Sequence, residues 1–223
     1  MSSDEVVMKD RRAVPTLIAL LLTLGCAGFL LSKVQNEFAS ARRFAAYEFI
    51  WWALVVLLLS YISWGERRSL TSIGLRRPSI RNILIGIASG IVIFGGLVGI
   101  YLVILPALHF KEDPRVTQVM NLMLAKPIWW RLTLIVRGTI AEEIIFRGYA
   151  VERLQELTGS VSIAGIISCT IFALEHLGVR SWGHVMIAGF AGAMLTLLYI
   201  WRRNLWVNTI AHFVPDAIGL LLG

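Results

Sequence analysis

Thr139-Ile140-Ala141-Glu142-Glu143-Ile144-Ile145-Phe146-Arg147-Gly148-Tyr149 sets two adjacent carboxylates and an arginine inside a run that otherwise reads as membrane-spanning. An ionisable side chain at bilayer depth costs at least roughly 2.5 kcal/mol, so such groups face a bundle interior or cavity and pair with one another. This stretch therefore calls for a bundle of spans with a protected interior. Glu143 and Arg147 are four apart, which on a helix places them on one face within ion-pair reach. Glu142 projects about 100° away. The spacing predicts a neutralised Glu143 and a Glu142 left for chemistry.

The flanking sequence agrees. Of 223 residues, 57% are hydrophobic and 16% charged, with a mean hydropathy of +0.73, whereas a soluble domain has about 25% charged residues. Apolar runs near the ~20 residues needed to cross a bilayer fall at 14–31, 45–64, 83–108, 129–149, 161–177, 185–201 and 205–222. The expected fold is an all-α, polytopic transmembrane helix bundle of about seven spans. Residues 1–68 form an N-terminal two-span region and 69–223 the core. The third run is rich in glycine (Gly86, Gly90, Gly95, Gly96, Gly99), which lets membrane helices approach closely. Residues 109–128 read as a loop broken at Asp113-Pro114, its 119–124 part able to lie at the interface.

The formal charge of +7 does not imply nucleic acid, because the basic residues sit in the connections between apolar runs. The 65–81 connection holds Arg67, Arg68, Arg76, Arg77 and Arg81 against the single acid Glu66, and is expected to be cytoplasmic. Lys9, Arg11 and Arg12 before the first run fit a cytoplasmic N-terminus. Trp64, Trp129, Trp130, Trp182, Trp201 and Trp206 fall near run ends, where an interfacial aromatic belt lies. Cys26 and Cys169 stand alone inside apolar runs and read as small packing residues. Leu24-Gly25-Cys26 lacks a following small-residue cleavage pattern, so the first run reads as a retained span.

Other polar groups stand out against this background. Asn208, His212 and Asp216 recur every four residues and form one polar stripe on the last span. Pro215 should kink that helix. A helix–helix hydrogen-bond network accounts for such a stripe equally well. His176 closes the fifth run. A bundle that turns its polar faces inward can bring Glu142, His176 and His212 to one cavity. His109 and His184 read as ordinary interfacial residues. Glu48 lies near a span end, where it can reach water, and Glu175 either orients His176 or faces solvent.

A carboxylate in a low-dielectric cavity is a strong proton acceptor and suits a general base acting on water. Histidines add acid, base or oxyanion-donor capacity. No His-Glu-x-x-His helix or Gly-x-Ser-x-Gly elbow is present, so carboxylate-promoted attack by water is the economical chemistry. Intramembrane Glu, His and Arg also mark ion paths, which makes a transporter a rival reading, but no inverted repeat or paired broken helices are seen. A non-catalytic membrane partner is the second rival.

Glu142-Glu143-x-x-x-Arg147, Phe172-x-x-x-His176 and His212-x-x-x-Asp216, in order and in successive apolar runs, resemble the CPBP family of intramembrane proteases (type 2 CAAX prenyl proteases, also called Abi or bacteriocin-processing). The resemblance covers about 69–223, including Ser69 to Pro78 before the core. It implies an intramembrane endopeptidase of a bacterial-type cell membrane, acting on a membrane-anchored peptide or protein. By similarity, Glu142 with His176 activates water, while Glu143 and Arg147 brace the site, with Phe172 and Asn208 in support. His212 with the residue at 216 stabilises the oxyanion. Relatives often carry Asn where Asp216 stands, and an Asp donates only when protonated; otherwise it orients His212 or helps hold a metal. The favoured mechanism needs no cofactor. The alternative is Zn held by Glu142 or Glu143 with His176 and His212.

Overall fold

The computed structural model describes residues 3–33, 38, 40–110, 114–177 and 182–222, and omits the side chains of 3–12 and 115. Asp113 and most of the 178–184 connection therefore lie outside the described residues, as do the side chains of Lys9, Arg11 and Arg12. All described regular structure is helical and resolves into eight helices: α1 (Ser3–Ser32), α2 (Ala41–Ser60), α3 (Ile80–Gly99), α4 (Pro114–Leu124), α5 (Ile128–Glu142), α6 (Val161–Glu175), α7 (Trp182–Arg202) and α8 (Leu205–Ala217). Four of them widen to π-helical pitch instead of ending: α2 over Tyr61–Gly65, α3 over Ile100–Ile104, α5 over Glu143–Val151 and α8 over Ile218–Leu222. Beyond its π segment α5 continues as Glu152–Thr158.

The helix starts follow local chemistry. Ser40, Ser79, Ser160 and Asn204 each accept a backbone N–H from the first turn of α2, α3, α6 and α8, satisfying donors that the helix leaves unpaired. Gly159, at φ +72°, ends the α5 continuation in the left-handed conformation that glycine adopts without cost.

Among the described residues, five helices are long and apolar enough to cross a membrane: Ala13–Ser32, Ala41–Gly65, Ile80–Ala107, Trp182–Arg202 and Leu205–Leu222. These are the spans of a multi-pass integral membrane protein. Seven spans are not shown, for physical reasons. The fourth expected span exists as α5 but carries Arg131, Arg137, Glu142, Glu143 and Arg147. The fifth exists as α6, whose 15 residues reach only about 22 Å at 1.5 Å per residue, short of the ~30 Å hydrocarbon core.

One core joins α1 and α2 to the π segment of α5 and to α6. Leu20, Leu24 and Ala27 of α1 and Trp51, Val55 and Leu58 of α2 pack with Ile145, Phe146 and Tyr149 of the π segment and Phe172 of α6. On the opposite side α3 lies directly on α8. A Cβ at Gly86 would stand 3.0 Å from the Val207 carbonyl, and one at Gly90 would stand 2.9 Å from the Ala211 carbonyl, so these glycines permit backbone-to-backbone packing. Outward faces are apolar and exposed, as at Leu21, Phe49, Leu57 and Val92.

Three expectations are corrected here. The 109–128 stretch is not simply a loop, because α4 occupies most of it and buries Val119 and Met123 against Phe38 and Leu134. Trp130 is not part of an interfacial belt: it is buried, with its ring 4.2 Å from that of Phe44. Cys26 is exposed on the outer face of α1, whereas Cys169 donates to the Gly189 carbonyl.

Candidate active site

The π segment of α5 begins where the acidic pair ends. The i→i+5 bonds of a π turn widen the helix, and such turns occur frequently at functional sites. Residues four apart still lie nearly above one another. Arg147 Nη1 donates to Glu143 Oε1 at 2.9 Å, and both side chains are fully buried. Two more donors complete the arrangement around Glu143. The His212 ring lies on Oε1, with Nδ1 at 2.9 Å, and Asn208 Nδ2 donates to Oε2 at 3.1 Å. Asn208 also donates to the Leu195 carbonyl at 2.7 Å. Its amide hydrogens are thus committed to α7 and to Glu143.

Phe172 fixes Arg147 from the other side. The guanidinium carbon lies 4.2 Å from the ring centroid, a cation–π contact, and Phe146 meets the same ring edge-on at 5.1 Å. Arg147 Nη2 further reaches the Gly192 carbonyl at 3.3 Å. A Cβ on Gly192 would stand 2.8 Å from the Phe172 ring, so the glycine of α7 is what admits the phenylalanine.

Glu142, one residue earlier, leaves this cluster and lines a cavity of about 310 Å³. His176 from the end of α6 and His212 and Asp216 from α8 line it too. His212 Nε2 is 4.0 Å from Glu142 Oε2 and 3.7 Å from Asp216 Oδ2. A carboxylate only accepts, so His212 donates to Glu143 through Nδ1–H and turns Nε2 toward Glu142 and Asp216. The same reasoning applies to His176, whose Nδ1 is 2.7 Å from the Phe172 carbonyl. Nδ1 carries the hydrogen, and in the neutral ring Nε2 carries the lone pair.

The eight singled-out residues thus form two layers. Glu142, His176, His212 and Asp216 line the cavity together with Phe172, while Glu143, Arg147 and Asn208 lie buried behind. Four further polar residues bear on the cavity. Glu48 does not reach water: it is buried and pairs with Arg137 Nε at 2.8 Å, because α5 turns Arg137 toward α2. Arg137 itself lines the cavity, as do Glu175 and His184. The His184 ring lies 5.7 Å from that of His176, so His184 is not merely interfacial. The Glu48–Arg137 pair links two different helices and has no local spacing by which it could be read. His109 follows the end of α3 with φ 55°.

A catalytic zinc would need three protein ligands and an open position. Among the described residues, no group of three or more His, Cys, Asp or Glu side chains is placed to hold a metal ion. Both Nδ1 atoms are committed, to Glu143 and to the Phe172 carbonyl, so only the Nε2 atoms of these rings could serve a metal.

Residues 124–218 match the family model described as type II CAAX prenyl endopeptidase, Rce1-like, a stretch running from the end of α4 into the last turn of the chain. No curated protein and no solved structure matches the chain.

Proposed function

We propose that this chain, whose residues 124–218 match the Rce1-like type II CAAX prenyl endopeptidase model, is an intramembrane endopeptidase whose attacking water is activated by Glu142. The observation that carries this reading is the convergence on one cavity of Glu142, His176, His212 and Asp216, from three helices and all four within the matched residues. Glu142 accepts a proton from water with His176 Nε2 as the second acceptor, and the water oxygen attacks the substrate carbonyl carbon. His212, protonated at Nε2 between two carboxylates, donates to the oxyanion. Collapse of the tetrahedral intermediate breaks the C–N bond, and the proton held by Glu142 goes to the leaving amine. Asp216 orients His212. Glu143, braced by Arg147 and Asn208, fixes the His212 tautomer from behind. This chain's own residues account for each step without a metal.

The substrate is a membrane-anchored peptide or protein. The core is assigned to 69–223 and the two-span region to 1–68, with the N-terminus and the 65–81 connection on the cytoplasmic side of a bacterial-type cell membrane. The test is cleavage of membrane-anchored peptides by the purified chain and by Glu142→Ala, each with and without a strong chelator. Loss of at least about a hundredfold in Glu142→Ala, with activity retained in chelator, is expected for a removed general base. Undiminished cleavage by Glu142→Ala removes the assignment. Activity abolished by chelator and restored by Zn replaces the water-activating carboxylate with a metal.

A further inference from the structure

Glu175 lies next to His176 on the cavity wall, and the endopeptidase chemistry above leaves it unused. Its Oε2 is enclosed by protein and accepts no hydrogen bond. The other buried carboxylates of the interior have their cations: Glu48 has Arg137, Glu143 has Arg147, and Glu66 has Arg153. Glu142 and Asp216 flank His212. Among the described residues, no ion pair forms to Glu175. An enclosed carboxylate oxygen without a donor is costly, and Glu175 also lines the cavity, so its carboxylate gains from a donor brought in by an occupant.

The cavity's charge points the same way. Its carboxylates are Glu142, Glu175 and Asp216; its cations are Arg137, which already faces the carboxylate of Glu48, and protonated His212, which lies between Glu142 and Asp216. An occupant with a positive charge is favoured there, and low-dielectric walls strengthen the attraction. The first helix holds the carboxylate in place. A Cβ at Gly28 of α1 would stand 3.2 Å from Cγ, Cδ and Oε1 of Glu175, so glycine at 28 leaves the space that the side chain fills. This contact lies outside the 124–218 match, so the N-terminal region takes part in shaping the site.

We propose that Glu175 is a substrate-binding residue that selects a lysine or arginine side chain beside the scissile bond, a reading that rests on the endopeptidase assignment. An ammonium brings about three donors and a guanidinium about five, either of which gives the Glu175 carboxylate a charged donor. Gly28 sets the position of the carboxylate, and the adjacent His176 places the bound cation next to the attacked carbonyl.

The probe is a membrane-anchored peptide carrying lysine, norleucine or glutamate at one position, scanned along the segment beside its apolar anchor. Binding is measured to the full chain carrying Glu142→Gln, which prevents turnover. At one position the lysine peptide should bind at least about tenfold more tightly than the norleucine peptide, the scale of one charge-assisted hydrogen bond. Adding Glu175→Gln, a neutral side chain of the same shape, should abolish the difference, and Glu175→Lys should invert it in favour of glutamate. Gly28→Ala, which keeps the charge but crowds it, should reduce the lysine preference while norleucine binding persists. Equal binding of lysine and norleucine peptides at every position overturns the proposal, as does a preference that survives Glu175→Gln. Failure of the endopeptidase reading shows up separately, as cleavage that survives Glu142→Ala.

Discussion

Glu143 accepts from Arg147, His212 and Asn208 at once, and it does so fully buried. Removing one member of a buried ion pair leaves an uncompensated charge and costs roughly 3–5 kcal/mol, whereas replacing both members is far milder. Arg147→Met should therefore destabilise the protein by that order, and Arg147→Met with Glu143→Gln should recover a large part of it. Activity should not return with stability, because a neutral amide at position 143 gives His212 no fixed anion to hold Nδ1–H. Thermal unfolding in detergent together with peptide cleavage checks both halves. Recovery of cleavage alongside stability in the double variant would falsify the tautomer role given to Glu143. The Glu143–Arg147 pair is legible from a four-residue spacing because both members lie on one helix. Glu48–Arg137 is not, since pairing across helices depends on packing that no local pattern encodes.

At the scale of elements, the position of His212 depends on how closely α3 approaches α8. Gly90 permits that approach: a Cβ there would stand 2.6 Å from Val214 Cβ and 2.9 Å from the Ala211 carbonyl. The valine can yield, but the carbonyl is backbone and must move with its helix. Gly90→Ala should cost about 1–3 kcal/mol of overpacking and lower cleavage by shifting α8. Adding Val214→Ala should restore only part of either. Gly95 is the internal control, with nothing within 4 Å of its added Cβ; Gly95→Ala should be neutral or stabilising by up to about 1 kcal/mol from helix propensity. Equal effects at 90 and 95 would mean that helix propensity, and not interhelical contact, governs both positions. The glycine-rich third run thus announced close packing, and the Asn208, His212, Asp216 stripe announced a shared face. The π pitch of Glu143–Val151 has no sequence counterpart, because it is set by the neighbours of α5. One such neighbour is the Ile73 carbonyl, which would stand 2.9 Å from a Cβ at Gly148. The shortness of α6 has no sequence signal, because its apolar run continues to Leu177, past the helix end at Glu175.

For the molecule as a whole, what matters is how the first two helices are held to the rest. They share one core with the π segment and α6, and a polar clamp closes the end where the 65–81 connection returns to the bundle. Arg153, fully buried, donates through Nε and Nη2 to both oxygens of Glu66 and through Nη2 to Ser72. Tyr149 donates to the same Glu66, and Arg68 pairs with Glu156. Gly74, at φ +78° with its added Cβ only 2.8 Å from the Tyr199 hydroxyl, lets the same connection press against α7. A basic connection that looks like a mere sidedness signal is therefore also a structural joint, with Glu66, its single acid, at the centre. Arg153→Met should leave Glu66 buried and unpaired at a cost of roughly 3–5 kcal/mol, or roughly 10 °C in melting temperature for a chain of this length. Glu66→Gln in the same chain should restore part of it. Because the clamp lies apart from the cavity-lining residues, cleavage measured well below the melting transition should fall much less than stability does. Protease sensitivity should rise first within 65–79. A variant that keeps its melting temperature but loses cleavage would instead tie the clamp directly to the site, and would make the joint part of how substrate is admitted.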